Sequence, residues 1–202
     1  MSAPAPARQQ DRSRATQRRL LDATVDCLVE VGWAGTTTTL VAERAGVSRG
    51  AQLHHYPTKA ALVVAAVEHL VDLRNEELAA EAADIASLPF PDRVDRVIDL
   101  LAAVHTGPLY IAALELWVAA RTDPALREAL VPLEARFGRS VHRLAVRLLG
   151  VDETRPGVRQ SVQATLDLLR GLGVASLLTD DGHRRRALLT EWKTQLAHQL
   201  AE

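Results

Sequence analysis

Apolar residues recur at three- and four-residue spacing through most of the chain, and glycine, proline or hydroxyl side chains interrupt them at intervals. Leu20, Leu21, Thr24, Cys27, Leu28 and Val31 draw one stripe along a helix predicted over 14–31, which Gly32 stops. Four threonines follow, any of which can cap a new helix by accepting from an orphaned backbone N–H. Residues 40–45 then give barely two turns. Gly46 suits a positive φ after a helix, and Ser48 can cap another short helix that Pro57-Thr58 ends. Helices this short are marginal alone and must pack on something, and small Ala42 and Ala45 permit a close crossing. The stretch 36–59 therefore reads as a helix-turn-helix, with polar Arg49, Gln52, His54 and His55 on its second helix and the 14–31 helix supplying its core.

Downstream the same period predicts a helix over 59–85, about 40 Å long at 1.5 Å per residue. Leu88-Pro89-Phe90-Pro91 breaks the pattern before a helix over 92–105, and Thr106-Gly107-Pro108 breaks it again. Residues 109–121 are apolar nearly all round, which predicts a place in the middle of a larger domain. Asp123-Pro124 pairs an N-cap with proline at the first helical position and opens a helix ending at Gly150. The last two helices are expected over 158–179 and 183–200, the first with Gly171 and Gly173 inside it, the second with a row of Leu188, Trp192, Leu196 and Leu200. Interior glycine costs about 1 kcal/mol relative to alanine, which suggests that another backbone comes close there. The fold expected is all-α, with about nine helices: an arm at 1–12, a helix-turn-helix domain at 13–58 and a larger helical domain at 59–202.

Composition supports that reading. The chain is 48% apolar but only 3% aromatic, so aliphatic packing between Ala- and Leu-rich helices is expected. One cysteine, Cys27, excludes an internal disulfide framework and fits a reducing compartment. No segment has the length of a signal peptide's apolar region or of a membrane span, and a cytoplasmic location is expected. Net charge is −1 but unevenly spread: residues 1–60 carry eight Arg and Lys against five Asp and Glu, the remainder sixteen against twenty. A basic first third is the asymmetry expected if that part alone touches phosphate. The arm at 1–12 reads as a disordered solvated tail or as a basic arm brushing DNA.

Chemistry of other kinds finds little support. There is no HExxH or ExxH pair, Gly-rich phosphate loop or nucleophile elbow, and His54 and His55 point to different faces of a helix. No enzyme activity, metal or cofactor is expected.

Gly32 with Thr37-Thr38, Val41-Ala42, Ala45-Gly46-Val47-Ser48, Gly50, and His55-Tyr56 followed by Lys59 and Leu62 resemble the tetracycline-repressor (TetR) family of bacterial transcriptional regulators over about residues 14–62. Leu114-Glu115-Leu116-Trp117 and Ala120-Arg121-Thr122-Asp123-Pro124 are similar to segments of many members. The resemblance implies DNA contacts from Thr37, Thr38 and Thr39, from Ser48, Arg49, Gly50, Ala51 and His55, and from Lys59, with Gln52 and His54 as further candidates on the same helix. Hydroxyls and helix N-termini donate to phosphate, Arg49 can present two donors to a guanine edge, and Lys59 can act on phosphate as a point charge. The chain departs from the family at Gln52-Leu53, where members mostly carry an apolar residue and then tyrosine. The cost of burying Gln52 without partners favours a rotation that turns Leu53 to the core and Gln52 to the DNA; the alternative is an apolar contact of Leu53 with a thymine methyl.

The larger domain is similar to the family's effector-binding and dimerising part. His105, Tyr110, Leu114, Trp117 and Arg121 are the candidate pocket residues for a small-molecule effector. Leu169, Gly171, Gly173, Leu188, Trp192 and Leu196 are the candidates for a homodimer interface built from four helices of two chains. The expected function is a dimeric repressor of a DNA operator; the alternative is a helical ligand-binding or interaction protein whose helix-turn-helix does not bind DNA.

Overall fold

A computed structural model of the chain describes residues 5–179 and 181–201. Among these residues it contains nine α-helices and no strand: α1 (Ala5–Gly35), α2 (Thr38–Arg44), α3 (Arg49–His55), α4 (Lys59–Ala86), α5 (Phe90–Val104), α6 (Pro108–Ala120), α7 (Pro124–Leu149), α8 (Val158–Ala175) and α9 (Gly182–Ala201). Among the described residues no helix is long and apolar enough to cross a membrane. Residues 1–4 of the expected arm lie outside the described residues, but 5–12 are helical, which corrects the expectation of a disordered tail for that part. Alanine, arginine and glutamine, which dominate the stretch, are among the better helix formers.

The helices form two compact units, one of Met1–Leu73 with Ala112–Glu134, the other of Arg74–Ile111 with Ala135–Glu202. The helix-turn-helix lies wholly in the first unit, which also takes in the start of α4, most of α6 and the start of α7. The expected boundary at Lys59 is therefore not where the packing divides, and most of α6, expected in the larger domain, belongs with the helix-turn-helix.

In the first unit, Leu20, Ala23 and Cys27 of α1 close on Val41 and Ala45 of α2 and Leu62 of α4. Each large aliphatic side chain so buried contributes about 1.5–3 kcal/mol, which is what holds helices of seven residues in place. A second cluster joins Leu28 to Val63, Ala112, Leu116, Leu126 and Leu130. The α1 stripe is nearly as its spacing predicts, except that Val31 is exposed. Gly32, at φ +65° and ψ −175°, bends α1 there and ends the regular turn of the stripe. On α6, Leu116 is buried but Val118 is 64% exposed, so its apolar surface is not buried all round.

In the second unit, α5, α7, α8 and α9 share a core of Val94, Ile98, Leu101, Leu148, Val162, Leu169 and Leu196, among others. Lys193 of α9 pairs with Asp99 of α5 at 2.8 Å. Gly173 of α8 sits directly under the His105 carbonyl and the Tyr110 ring, where a Cβ would collide. The close backbone approach expected at the interior glycines thus occurs at Gly173, against the α5–α6 turn of the same chain, while Gly171 has nothing within 4 Å of its Cβ position.

Candidate nucleic-acid interface

Hydrogen bonds fix the turn between α2 and α3. Thr37, in extended conformation, accepts from the Leu40 N–H at 3.1 Å and caps α2. At the other end, Val47 N–H donates to the Ala42 carbonyl at 3.0 Å and Gly46 N–H to the Glu43 carbonyl at 3.1 Å, with Gly46 at φ +61°. This pair of bonds around a left-handed glycine closes the helix and redirects the chain within two residues. Ser48 then caps α3 by accepting from Ala51 N–H at 3.2 Å. Thr36 caps neither helix; it is buried, and its hydroxyl donates to the Gly32 carbonyl at 2.7 Å.

Thr37, Thr39, Ser48, Arg49, Gly50 and His54 are exposed, and Thr38, Ala51 and His55 are half-buried. Among the described residues no carboxylate pairs with Arg49, so its guanidinium is open to an anion. The two remaining candidates are placed otherwise. Gln52 is 0% exposed and Leu53 is 45% exposed, the reverse of the rotation expected from burial cost. That cost is reduced because Gln52 Nε2 donates to the Tyr56 carbonyl at 2.6 Å, although its Oε1 has no partner. Gln52 therefore locks α3 from inside, and Leu53 is the side chain presented outward.

Lys59 faces the α1 kink. Its ammonium donates to the Trp33 carbonyl and lies 3.8 Å from the centroid of the Trp33 ring. Burial there pushes its pKa below the ordinary lysine value, with Asp123 acting in the opposite direction. The expected point contact with phosphate would require the side chain to leave this seat. Glu115 of α6 completes the seat: its carboxylate accepts from Trp33 N–H at 2.8 Å and occupies the space where a Cβ on Gly32 would lie. Trp33 is thus held by its N–H from α6 and by its carbonyl from α4.

The pocket candidates fall in different places. In the first unit, Trp117 and Arg121 of α6 and its C-terminal end line a groove of about 440 Å³ together with Arg127, Leu130, Val131 and Glu134 of α7. Leu114 is half-buried in that unit, outside the groove lining. In the second unit, His105 and Tyr110 stack edge to face at 5.4 Å, the histidine Nδ1 bonding the Leu101 carbonyl and the tyrosine hydroxyl the Arg170 carbonyl. Burial lowers the pKa of His105. The α7 residues of the groove share one helix face, but nothing in their types separates that face from an ordinary solvated one.

Of the interface candidates, Leu169 and Leu196 are spent in the core, Gly173 in the α5–α6 contact, and Trp192 donates to Thr165 Oγ1 at 3.0 Å. Leu188 and Gly171 remain on the surface. Val174, Leu177 and Leu178 are exposed as well, and the helix expected to run to 179 ends at Ala175.

Two capped short helices at a tight glycine turn, braced by a long first helix, make a helix-turn-helix fold. The sequence profile of the bacterial regulatory proteins of the tetR family matches residues 20–66. The chain is 36% identical over 182 residues to the HTH-type transcriptional regulator CymR of Pseudomonas putida, covering 87% of this chain and 86% of that protein. Among solved structures, the multidrug binding protein EbrR complexed with ethidium superposes with a TM-score of 0.63 at 27% identity, covering 88% of this chain and 97% of that one. A TetR transcription regulator from Haloarcula marismortui shares the fold, with a TM-score of 0.68 at 20% identity over 92% of this chain and 96% of that one. The chain belongs to the tetR family and is a transcriptional regulator of that family.

Proposed function

We propose that the protein is a dimeric, sequence-specific DNA-binding repressor, acting in the cytoplasm and released from its operator by a small-molecule effector. The observation that carries this reading is the outward end of α3. Ser48, Arg49 and Gly50 are exposed on a helix whose far side is locked by Gln52, and Arg49 has no carboxylate partner among the described residues. A guanidinium so placed can address guanine O6 and N7, while the exposed threonine and serine hydroxyls address phosphate. Leu53 adds an apolar contact suited to a thymine methyl.

The dimer is drawn together by the outer face of α8, where Gly171, Val174, Ala175 and, beyond the helix end, Leu178 form an exposed small and apolar stripe. Two copies would then offer two recognition helices to half-sites about 34–36 Å apart. The effector is proposed to be a small molecule with a flat apolar portion, seated in the groove beside Trp117; EbrR, a structural neighbour, holds ethidium.

Selection from a randomised duplex pool tests the function. Enrichment of a two-fold symmetric site with half-sites one DNA turn apart is the expected outcome. A pool that gains no common sequence, with binding insensitive to salt, would leave the interaction-protein reading in its place.

A further inference from the structure

We propose that Arg12, Arg14, Arg18 and Arg19, on the N-terminal half of α1, form a second DNA-contact surface that grips phosphate without reading sequence. The proposal rests on the DNA-binding function just given and adds to it a surface outside the helix-turn-helix. Residues 10–19 are helical and none of them is buried; the core begins at Leu20. Ten helical residues extend about 15 Å, and on this segment only Ser13, Thr16 and Gln17 are half-buried while the remaining side chains are exposed. All four arginines on it are exposed, and among the described residues no carboxylate pairs with any of them. Two other cations of the same unit are engaged, Arg44 with Glu30 at 2.6 Å and Lys59 on Trp33, whereas Arg49 of α3 is, like these four, without a carboxylate partner among the described residues.

Spacing and location also favour this reading. Arg14 and Arg18 lie four residues apart and Arg12 and Arg19 seven, so each pair shares a helix face. Like charges at such spacing disfavour an isolated helix by a few tenths of a kcal/mol, and Asp11 is the one acid within the segment. A polyanion relieves that repulsion. Arg19 Nη1 stands 4.0 Å from the Cβ position of Gly46, in the turn between α2 and α3, so one end of this segment lies beside the element that meets DNA. Duplex DNA carries one charge per about 1.7 Å of axis, dense enough to engage several arginines on a segment of about 15 Å.

The test changes Arg12, Arg14, Arg18 and Arg19 together to Gln, which keeps helix propensity, and in a second variant to Lys, which keeps charge. Binding of each full chain to a random-sequence duplex is titrated against KCl, and the site preferences of each are ranked by selection. In the Gln variant the slope of log K on log salt should shrink by about 0.9 for each phosphate contact given up, with site ranking unchanged. The Lys variant should restore the slope, which a loss of fold would not allow. Equal slopes for the wild type and the Gln variant overturn the proposal and leave the DNA-binding function standing, and so does a changed site ranking, which would make the arginines base readers. A wild-type chain with no salt-dependent slope overturns the DNA-binding function as well.

Discussion

The outer face of α3 and the outer face of α8 are both exposed and both lack a partner within the described chain, but they are built of opposite materials. On α3 the exposed groups are the Ser48 hydroxyl at its cap, a guanidinium and an imidazole around one leucine. On the C-terminal end of α8 they are glycine, valine and alanine, followed by a Leu178 that is 94% exposed, whereas the exposed Gln160, Gln163 and Asp167 earlier on the helix are polar. The first surface loses nothing in water and gains from an anion; the second gains only by being covered. One face is therefore suited to a reversible polyelectrolyte partner and the other to a standing contact between copies.

The strongest way to break this contrast is to put charge on the apolar face. Leu178→Asp should raise the dissociation constant of the proposed dimer by roughly 100-fold or more, since two copies each lose about 1.5–3 kcal/mol of burial. Sedimentation should show the mass falling by half at concentrations where the wild type stays paired; unchanged mass would place the interface elsewhere. Next in size is Gly32→Ala. Its backbone, at φ +65° and ψ −175°, lies in a region nearly confined to glycine, and the Glu115 carboxylate fills the Cβ space. Urea unfolding should show a loss of about 1–3 kcal/mol, with a new group at the kink also displacing the Trp33 seat.

Arg49→Ala sharpens the other side of the comparison. It should cost about 1–3 kcal/mol at one base position and relax preference there, with dimer mass untouched. Equal affinity for all four bases in the wild type would remove its reading role. The smallest effect is a pH dependence confined to the second unit. Burial holds the His105 pKa below the ordinary value, so below about pH 6.5 the unfolded chain binds more protons than the folded one, and stability falls as pH drops through that window. Thermal melts at pH 5.5 and 7.5 should differ more for the wild type than for His105→Gln.

Among the described residues periodicity located every helix, to within a few residues at most ends but nine residues late at the start of α1, because Gly46, Pro57, Asp123-Pro124 and Gly150 interrupt it with unmistakable chemistry. What it could not give was rotation. In α3, seven residues make under two turns, too few for a stripe to show, and the price assigned to a buried glutamine missed the Tyr56 carbonyl that accepts from it. Nor could it show that a leucine row on α9 divides, Leu196 and Leu200 inward and Leu188 outward, since all three read as equally apolar. The Lys59 seat was hidden for another reason: Trp33 and Glu115 are 82 residues apart, and nothing local marks them as neighbours.

That seat bears on how the protein could be cut and recombined. A fragment ending after α4 would keep the whole helix-turn-helix yet lose Glu115, leaving the Trp33 N–H without its acceptor beside a glycine in a strained conformation. Chimeras that graft this helix-turn-helix onto a foreign domain should therefore carry Ala112–Glu134 along with the first 73 residues, because the compact unit is discontinuous in sequence.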